Sequence, residues 1–302
     1  DENRTVLMYS IFNGSSWSAA QPVFDDGTMD YAPIICPDGN GGVHIVWQNS
    51  KTVFDADVTL DEMSTNMELY YTHWDGTAFS GTESITNNSA YETNFDLASN
   101  GDNITVVWQQ NSENDPFALE GTNSIHRRQL IGEDWQSEEV IASNLSIVNS
   151  IACSYVNNSS VAAYSVKTNM DNTSADDMEV YYYSGGKLSR VTENNTSYTS
   201  VYFLDDELYW LSNGSIMSMA SGNIEAIKPV ITNLSGSVST FKVLRNSSNQ
   251  KSIVWEQADE TVQCYGAYYN DSLNQFGSLS PLTAGTVVIR GGDACLIPTC
   301  HL

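Results

Sequence analysis

A short apolar strand ending in an aromatic residue recurs along the chain, followed by a second strand that closes on an (Asp/Asn)-Gly turn and another aromatic. The first member reads Gly42-Val-His-Ile-Val-Trp47-Gln, Asn103-Ile-Thr-Val-Val-Trp108-Gln and Ser160-Val-Ala-Ala-Tyr164-Ser. It returns as Glu207-Leu-Tyr-Trp210 and Lys251-Ser-Ile-Val-Trp255-Glu. The second reads Leu7-Met-Tyr-Ser-Ile-Phe-Asn13-Gly-Ser-Ser-Trp17 and Leu69-Tyr-Tyr-Thr-His-Trp-Asp75-Gly-Thr-Ala-Phe79. Four short strands in a period of roughly 45 to 60 residues make a propeller blade, because each such unit buries its faces only against its neighbours. The pattern dictates an architecture and leaves the chemistry open.

Alternating apolar and polar residues, punctuated by Gly, Asn and Asp, run throughout, and no amphipathic helix is expected. With the strands of a blade named a to d from the axis outward, five complete sets follow. The first is near 31–36, 43–48, 67–74 and 83–86, and the second at 93–98, 103–109, 124–131 and 137–142. The third takes 148–155, 160–166, 178–183 and 188–192, and the fourth lies near 199–204, 207–211, 215–219 and 223–228. The fifth takes 238–244, 251–256, 261–269 and 277–282. Residues 5–12 and 17–24 form a c–d pair without a–b, and 286–291 with 294–300 an a–b pair without c–d. Joined, they complete a sixth blade and remove the exposed sheet edges. Ile297-Pro298 interrupts the last strand, where proline removes a ladder donor, so five or seven blades remain alternatives. The expected fold is all-β, a β-propeller of four-stranded antiparallel blades forming a single domain over residues 1–302.

The b–c loops and d–a connectors share one face. Blades one to three carry long b–c insertions at 49–66, 110–123 and 167–177, whereas blade four turns at Ser212-Asn-Gly214. Long loops on a rigid scaffold are where function concentrates. The candidate ligand-binding residues on that face are Asp26, Asp30, Asp55, Asp57, Asp61 and Glu62. Calcium needs six to eight oxygen ligands, and Asp55, Asp57 and Asp61 are the candidate ligands for it, without the spacing of an EF-hand loop. A solvated acidic loop is the competing reading. The same carboxylates could serve as the acid and base of a glycosidase only at a defined separation, which sequence does not measure.

With 12 Lys+Arg against 37 Asp+Glu, the net charge is −25, which repels nucleic acid and anionic membranes. Arg127-Arg128 is the sole basic doublet. The low charged fraction of 16%, with abundant Asn, Ser and Thr, points to a secreted or surface-exposed bacterial protein rather than a halophile. Sequons at Asn87, Asn103, Asn172 and Asn233 follow from that composition. No stretch reaches transmembrane length, and no signal peptide precedes Asp1, as expected of a mature or excised fragment. Of 5 cysteines, Cys36, Cys153 and Cys264 lie in apolar strands and are expected as buried free thiols. Cys295 and Cys300 are close enough to pair in an oxidising compartment, while Cys295, Cys300 and His301 lack a fourth zinc ligand.

Trp47, Trp108, Trp210 and Trp255, with Tyr164, recur late in strand b, and packing between blades explains such a repeat better than a sugar-stacking platform does. His44, His73, His126 and His301 show no metal-ligand spacing, and residue order reveals no Ser-His-Asp set. Gly39-Asn-Gly-Gly42 joins strands and is a hairpin turn rather than a phosphate loop.

The c–d turns Asn13-Gly-Ser-Ser-Trp17, Asp75-Gly-Thr-Ala-Phe79 and Gly132-Glu-Asp-Trp135 resemble degenerate Asp-box hairpins of sialidase-like propellers. Most of the chain is similar to propeller domains of large secreted bacterial surface proteins. It departs from true sialidases, which the resemblance would equip with Ser-x-Asp-x-Gly-x-Thr-Trp and a clamp of three arginines on the substrate carboxylate. Only Arg4, Arg127, Arg128, Arg190, Arg245 and Arg290 are present, and no full Asp-box occurs. The resulting expectation is a non-catalytic, extracellular or cell-surface recognition domain that binds a glycan or protein on the long-loop face, beside neighbouring domains of a larger chain. A glycoside hydrolase or lyase using a carboxylate pair on that face, and a structural spacer, are the alternatives.

Overall fold

A computed structural model describes residues 4–281 apart from 119, 168–177, 193–197, 221, 235–236, 246–247, 259–261, 271, 274 and 278–279. The chain divides into two compact units, Asp1–Ser160 and Val161–Leu302. In the first, β1 (Met8–Tyr9) pairs with β2 (Gln21–Pro22). The next sheet runs β3 (Asp30–Pro37), β4 (Val43–Ser50), β5 (Met67–Trp74) and β6 (Glu83–Ser84) in spatial order. It is followed by β7 (Tyr91–Asn100), β8 (Asn103–Asn111) and β9 (Asn123–Ile131). Both β10 (Asp134–Trp135) and β11 (Glu139–Leu145) pair with β9, and β12 (Val148–Val156) ends the unit.

The second unit begins within β13 (Ser159–Lys167), which pairs with β14 (Met178–Ser184), itself paired with β15 (Lys187–Arg190). Then β16 (Tyr198–Leu204), β17 (Glu207–Ser212), β18 (Ser215–Ala220) and β19 (Lys228–Ile231) form a sheet. In the last sheet β20 (Ser237–Arg245), β21 (Lys251–Ala258) and β22 (Val262–Asn270) are joined by β23 (Gln275–Phe276) and β24 (Ser280–Pro281), both on β22. Among the described residues every pairing is antiparallel, and most strands stand where the alternation of apolar residues places them. The chain is all-β, built of four-stranded antiparallel sheets. The N-terminal c–d pair is present, while the expected a–b partners at 286–291 and 294–300 lie outside the described residues, as do Cys295, Cys300 and His301.

The repeated aromatic is a packing residue. Trp47, Trp108, Tyr164, Trp210 and Trp255 are among the largest fully buried side chains. Within the first unit the first two sheets meet through apolar faces, in the cluster of Val46, Leu69, Tyr71, Ile85, Leu97, Val106 and Trp108. The a strands β3, β7 and β16 share one irregularity, a bulge at which Ala32, Asn94 and Ser200 take φ of 47°, 45° and 52°. A bulge recurring at one register raises the local twist in the same way in each sheet.

Two of the three turns that resemble Asp-boxes have the same hydrogen bonding. Asn13 Oδ1 accepts from Ser15 N, Ser15 Oγ and Ser16 N, each at 3.0 Å. Asp75 Oδ1 accepts from Thr77 N and Oγ1 at 2.7 Å and Ala78 N at 2.8 Å. Those bonds hold the Asp75 carboxyl down at about 2, with Ala78 N–H the largest contribution. Gly14 and Gly76 both take φ of 96°, which a residue with a Cβ rarely adopts. The third, Gly132-Glu133, is instead a two-residue hairpin closed by the Ile131–Asp134 pair.

Three further expectations are corrected. The first b–c insertion contains a helix, α1 (Leu60–Ser64), started by a capping box between Thr59 and Glu62. Strand d of the fourth set begins later than expected, at Lys228, because residues 224–226 form a 3₁₀ turn. Of the three cysteines expected to be buried, Cys153 is, whereas Cys36 and Cys264 are half-buried; all three are free thiols. No helix among the described residues is long and apolar enough to cross a membrane.

Candidate functional site

The six carboxylates singled out in the sequence do not converge. Asp30 is buried and accepts from Trp47 Nε1 at 2.7 Å, Asn49 Nδ2 at 2.9 Å and Leu7 N at 3.0 Å. These donors occupy both its oxygens, so it anchors the N-terminal segment and the β4 tryptophan rather than facing a ligand. Asp26 closes its own turn, accepting from Thr28 N and Oγ1. Glu62 accepts from Thr59 N and Oγ1 and is held below the ordinary carboxyl value by those bonds, the backbone one foremost. Asp61 lies in the first turn of α1, where the helix dipole favours negative charge. Asp55 and Asp57 are exposed. Among the described residues no three His, Cys, Asp or Glu side chains gather as a metal-binding group, Asp55, Asp57 and Asp61 included.

A pocket of about 410 Å³ opens instead on the second sheet, on the same loop face. It is lined by Gln110, Asn114, Ser124, His126 and Asn144, with Ser89 of the preceding connector and the 112–122 loop. Local sequence builds its walls. Asn111 Oδ1 accepts from Glu113 N at 2.9 Å and Asp115 N at 3.1 Å, and its amide donates to Glu120 O, so one side chain folds the loop. Asn114, at φ of 56°, accepts from Tyr91 N and donates to Ser89 O, fixing the connector to that loop. Asn144 also takes left-handed backbone, which asparagine tolerates better than most residues. The side chain of Gln110 makes no hydrogen bond among the described residues and faces the cavity.

At the floor, register aligns the reactive groups. Gln110 stands opposite Ser124 and Trp108 opposite His126, so these four side chains share one face of the sheet. The His126 ring stacks on Trp108 with centroids 5.7 Å apart and planes 23° from parallel. Its Nδ1 lies 2.6 Å from Glu138 Oε1 and its Nε2 2.7 Å from Ser124 Oγ. The hydrogen bond from His126 holds the Glu138 carboxyl below its usual range. An ionised carboxylate only accepts, so Nδ1 carries a proton and, in the neutral ring, Nε2 accepts from the serine.

A second acidic group lies beneath. Glu92, across from Gln110, and Glu68 are both buried. Burial, reinforced by Glu68, pushes the Glu92 carboxyl up to about 8. Neither lines the pocket, so this carboxyl pair is not presented to a glycosidic bond. Ser124-x-His126 escaped the sequence reading because triad residues are usually sought far apart in the chain, although two positions on a strand suffice to put them on one face.

No family model matches the chain, and no curated protein does. Solved structures do. A prolyl endopeptidase superposes with a TM-score of 0.53 at 12% identity, over 93% of this chain and 40% of that one. A leech intramolecular trans-sialidase gives 0.50 at 9% identity, over 92% and 62%. The fold is that of a sialidase-like β-propeller. The Trypanosoma rangeli sialidase is also similar, at 0.46 and 8% identity, over 95% of this chain and 53% of that one. The chain thus spans about half the length of the sialidase structures it matches. At these identities the likeness is one of fold alone, and the differing activities of the neighbours show why fold does not name a function.

Proposed function

We propose that this propeller is an extracellular recognition domain that binds a neutral glycan in the amide-lined pocket of its second sheet. The observation that carries the reading is the lining itself. Gln110, Asn114, Asn144, Ser89, Ser143 and Thr122 offer amides and hydroxyls without formal charge, the hydrogen-bonding complement of a polyol. With a net charge of −25, the protein disfavours anionic ligands. The five described arginines each have partners: Arg4 on Asp25, Arg127 on Glu139, Arg128 on Ile85 O, Arg190 on Glu179 and Arg245 on Asp205. A three-arginine clamp on a sialic acid carboxylate is therefore not part of this proposal. Toward glycosidic bonds this reading is of a binder, because neither Glu68 nor Glu92 lines the pocket. A single propeller of six blades, closed by residues beyond 281, and a bacterial cell-surface location belong to the same reading, on the repeat and the composition.

The test is a screen of neutral oligosaccharides by glycan array, followed by calorimetry with Gln110→Ala and Asn144→Ala. Each variant should weaken binding about tenfold, the loss of one or two hydrogen bonds. Binding that survives both and disappears with Asp55→Asn/Asp57→Asn would move the site to the first insertion.

A further inference from the structure

The same register position can be compared from sheet to sheet. Opposite the buried strand-b aromatic stands Tyr70 against Trp47, Tyr181 against Tyr164 and Tyr265 against Trp255. Each pair has ring contact, with centroids 6.0, 5.4 and 5.8 Å apart. Two residues earlier the strands carry Glu68, Glu179 and Gln263, and the tyrosine hydroxyls of 181 and 265 donate to the last two at 3.1 and 3.0 Å. Three of the five sheets thus carry a long acid or amide, then a tyrosine; the fourth carries Ser215, then Met217 opposite Trp210. The second sheet answers with Ser124 and His126. Its imidazole keeps the stack on Trp108, so packing is satisfied, but an ionisable ring replaces the phenol and a short hydroxyl replaces the long acid. Shortening that side chain leaves room for the pocket, and Ser124 lines it.

We propose that Ser124, His126 and Glu138 form a nucleophilic triad that hydrolyses a short-chain carboxylic ester presented in this pocket. Glu138 holds Nδ1–H and leaves the Nε2 lone pair toward the Ser124 hydroxyl, at 2.7 Å, within the reach a general base needs. The competing acceptor, Gln110 O, is farther at 3.4 Å. Stacking on Trp108 fixes the plane of the ring, and the Gln110 amide is available to donate to a carbonyl oxygen as it gains charge.

The chemistry closes on itself. Ser124 Oγ bonds to the ester carbonyl carbon while its proton passes to Nε2 and the carbonyl electron pair moves to oxygen. Collapse breaks the bond to the alcohol oxygen, which leaves with the proton from Nε2. Water then adds to the acyl-serine with His126 as base, and the acid departs as Oγ regains its proton. The net reaction is ester plus water to acid plus alcohol. The identity of the alcohol half as a polyol rests on the glycan reading; the triad does not.

The experiment treats the full chain with a fluorophosphonate probe and with p-nitrophenyl acetate. The expected result is one phosphonylated peptide bearing Ser124, and ester hydrolysis lowered about 100-fold or more in Ser124→Ala. His126→Tyr, the residue of three other sheets, should retain the melting midpoint and lose both signals. Glu138→Gln should lower the rate and move the acid limb of its pH profile, which a purely structural role would leave in place. Absence of a Ser124 adduct in the folded wild-type chain, or hydrolysis unchanged in Ser124→Ala, overturns the triad. Binding of neutral oligosaccharides by the wild-type chain is read in parallel: binding without labelling sinks the triad alone, and labelling without binding sinks the glycan reading alone.

Discussion

Glu68 and Glu92, each 1% exposed, are tied together through Asn88, whose backbone N–H donates to Glu68 Oε1 at 2.7 Å and whose amide donates to Glu92 Oε1 at 2.8 Å. Lys51 pairs with the same Glu68 oxygen, and the second oxygen of each carboxyl has no hydrogen-bond partner among the described residues. Two acids share one buried site with one cation, so Glu92 keeps its proton at neutral pH. From the ordinary value of 4.5 up to about 8, the folded state holds a proton the unfolded chain has lost. Stability therefore falls as pH rises through that window. Glu92→Gln should remove this slope and raise the unfolding free energy above pH 8 by on the order of 2 to 5 kcal/mol, with little change at pH 4. Urea melts across pH 4 to 9 check it, and an unaltered slope would place the proton elsewhere.

Gly42, immediately before β4, stands where a side chain cannot fit. A Cβ there would stand 2.2 Å from Trp74 O and 2.4 Å from Asp38 Oδ2, the carboxylate that accepts from Gly42 N. Gly42→Ala should cost about 1 to 3 kcal/mol in a chemical melt. Gly81→Ala, whose Cβ meets nothing within 4 Å, is the control and should leave the midpoint nearly unchanged.

Asp30 separates structural from ligand-binding roles. Asp30→Asn puts an amide where the carboxylate accepts from Trp47, Asn49 and Leu7, leaving a buried donor facing donors. The expected loss is about 1 to 3 kcal/mol of stability with oligosaccharide affinity unchanged below the melt. Lost affinity in a variant of wild-type stability would return Asp30 to the site.

Deletion of residues 1–24 tests the N-terminal pair. Thr5 and Leu7 bond to Asp30, and Tyr9 packs against Phe79 and Trp74 with centroids 4.9 and 5.7 Å away. The truncated chain should expose those rings and aggregate in size-exclusion chromatography. A monomeric product melting like the full chain would show the pair to be dispensable.

Calcium makes a direct test of the acidic insertion. Asp61 and Glu62 belong to a helix start, and Asp55 and Asp57 alone offer too few oxygens. Millimolar calcium should leave the midpoint of metal-stripped protein unmoved. A rise that Asp55→Asn/Asp57→Asn/Asp61→Asn abolishes would establish a metal site by mass action.

The strand pattern was legible from residues because period-2 alternation and Asn-Gly or Asp-Gly turns are local properties. Burial of Trp47, Trp108 and Trp255 followed from their recurrence. The α1 helix is also written locally, in Thr59 and Glu62 three residues apart, the spacing of a capping box. The site was not legible. Ser124 and His126 are near in sequence, but Glu138 reaches the imidazole only because β11 pairs with β9, and Gln110 faces Ser124 only through the β8–β9 register. Asp30 and Glu92 carry the same charge as Asp55 and Asp57 in the sequence, yet the first two are buried and the others face water. Residue type and spacing determined which strands form, since those depend on a few neighbouring dihedrals and the side-chain alternation. The tertiary structure alone decided which carboxyls lose their water and which hydroxyl meets an imidazole, because desolvation and hydrogen-bond geometry depend on what other strands bring alongside.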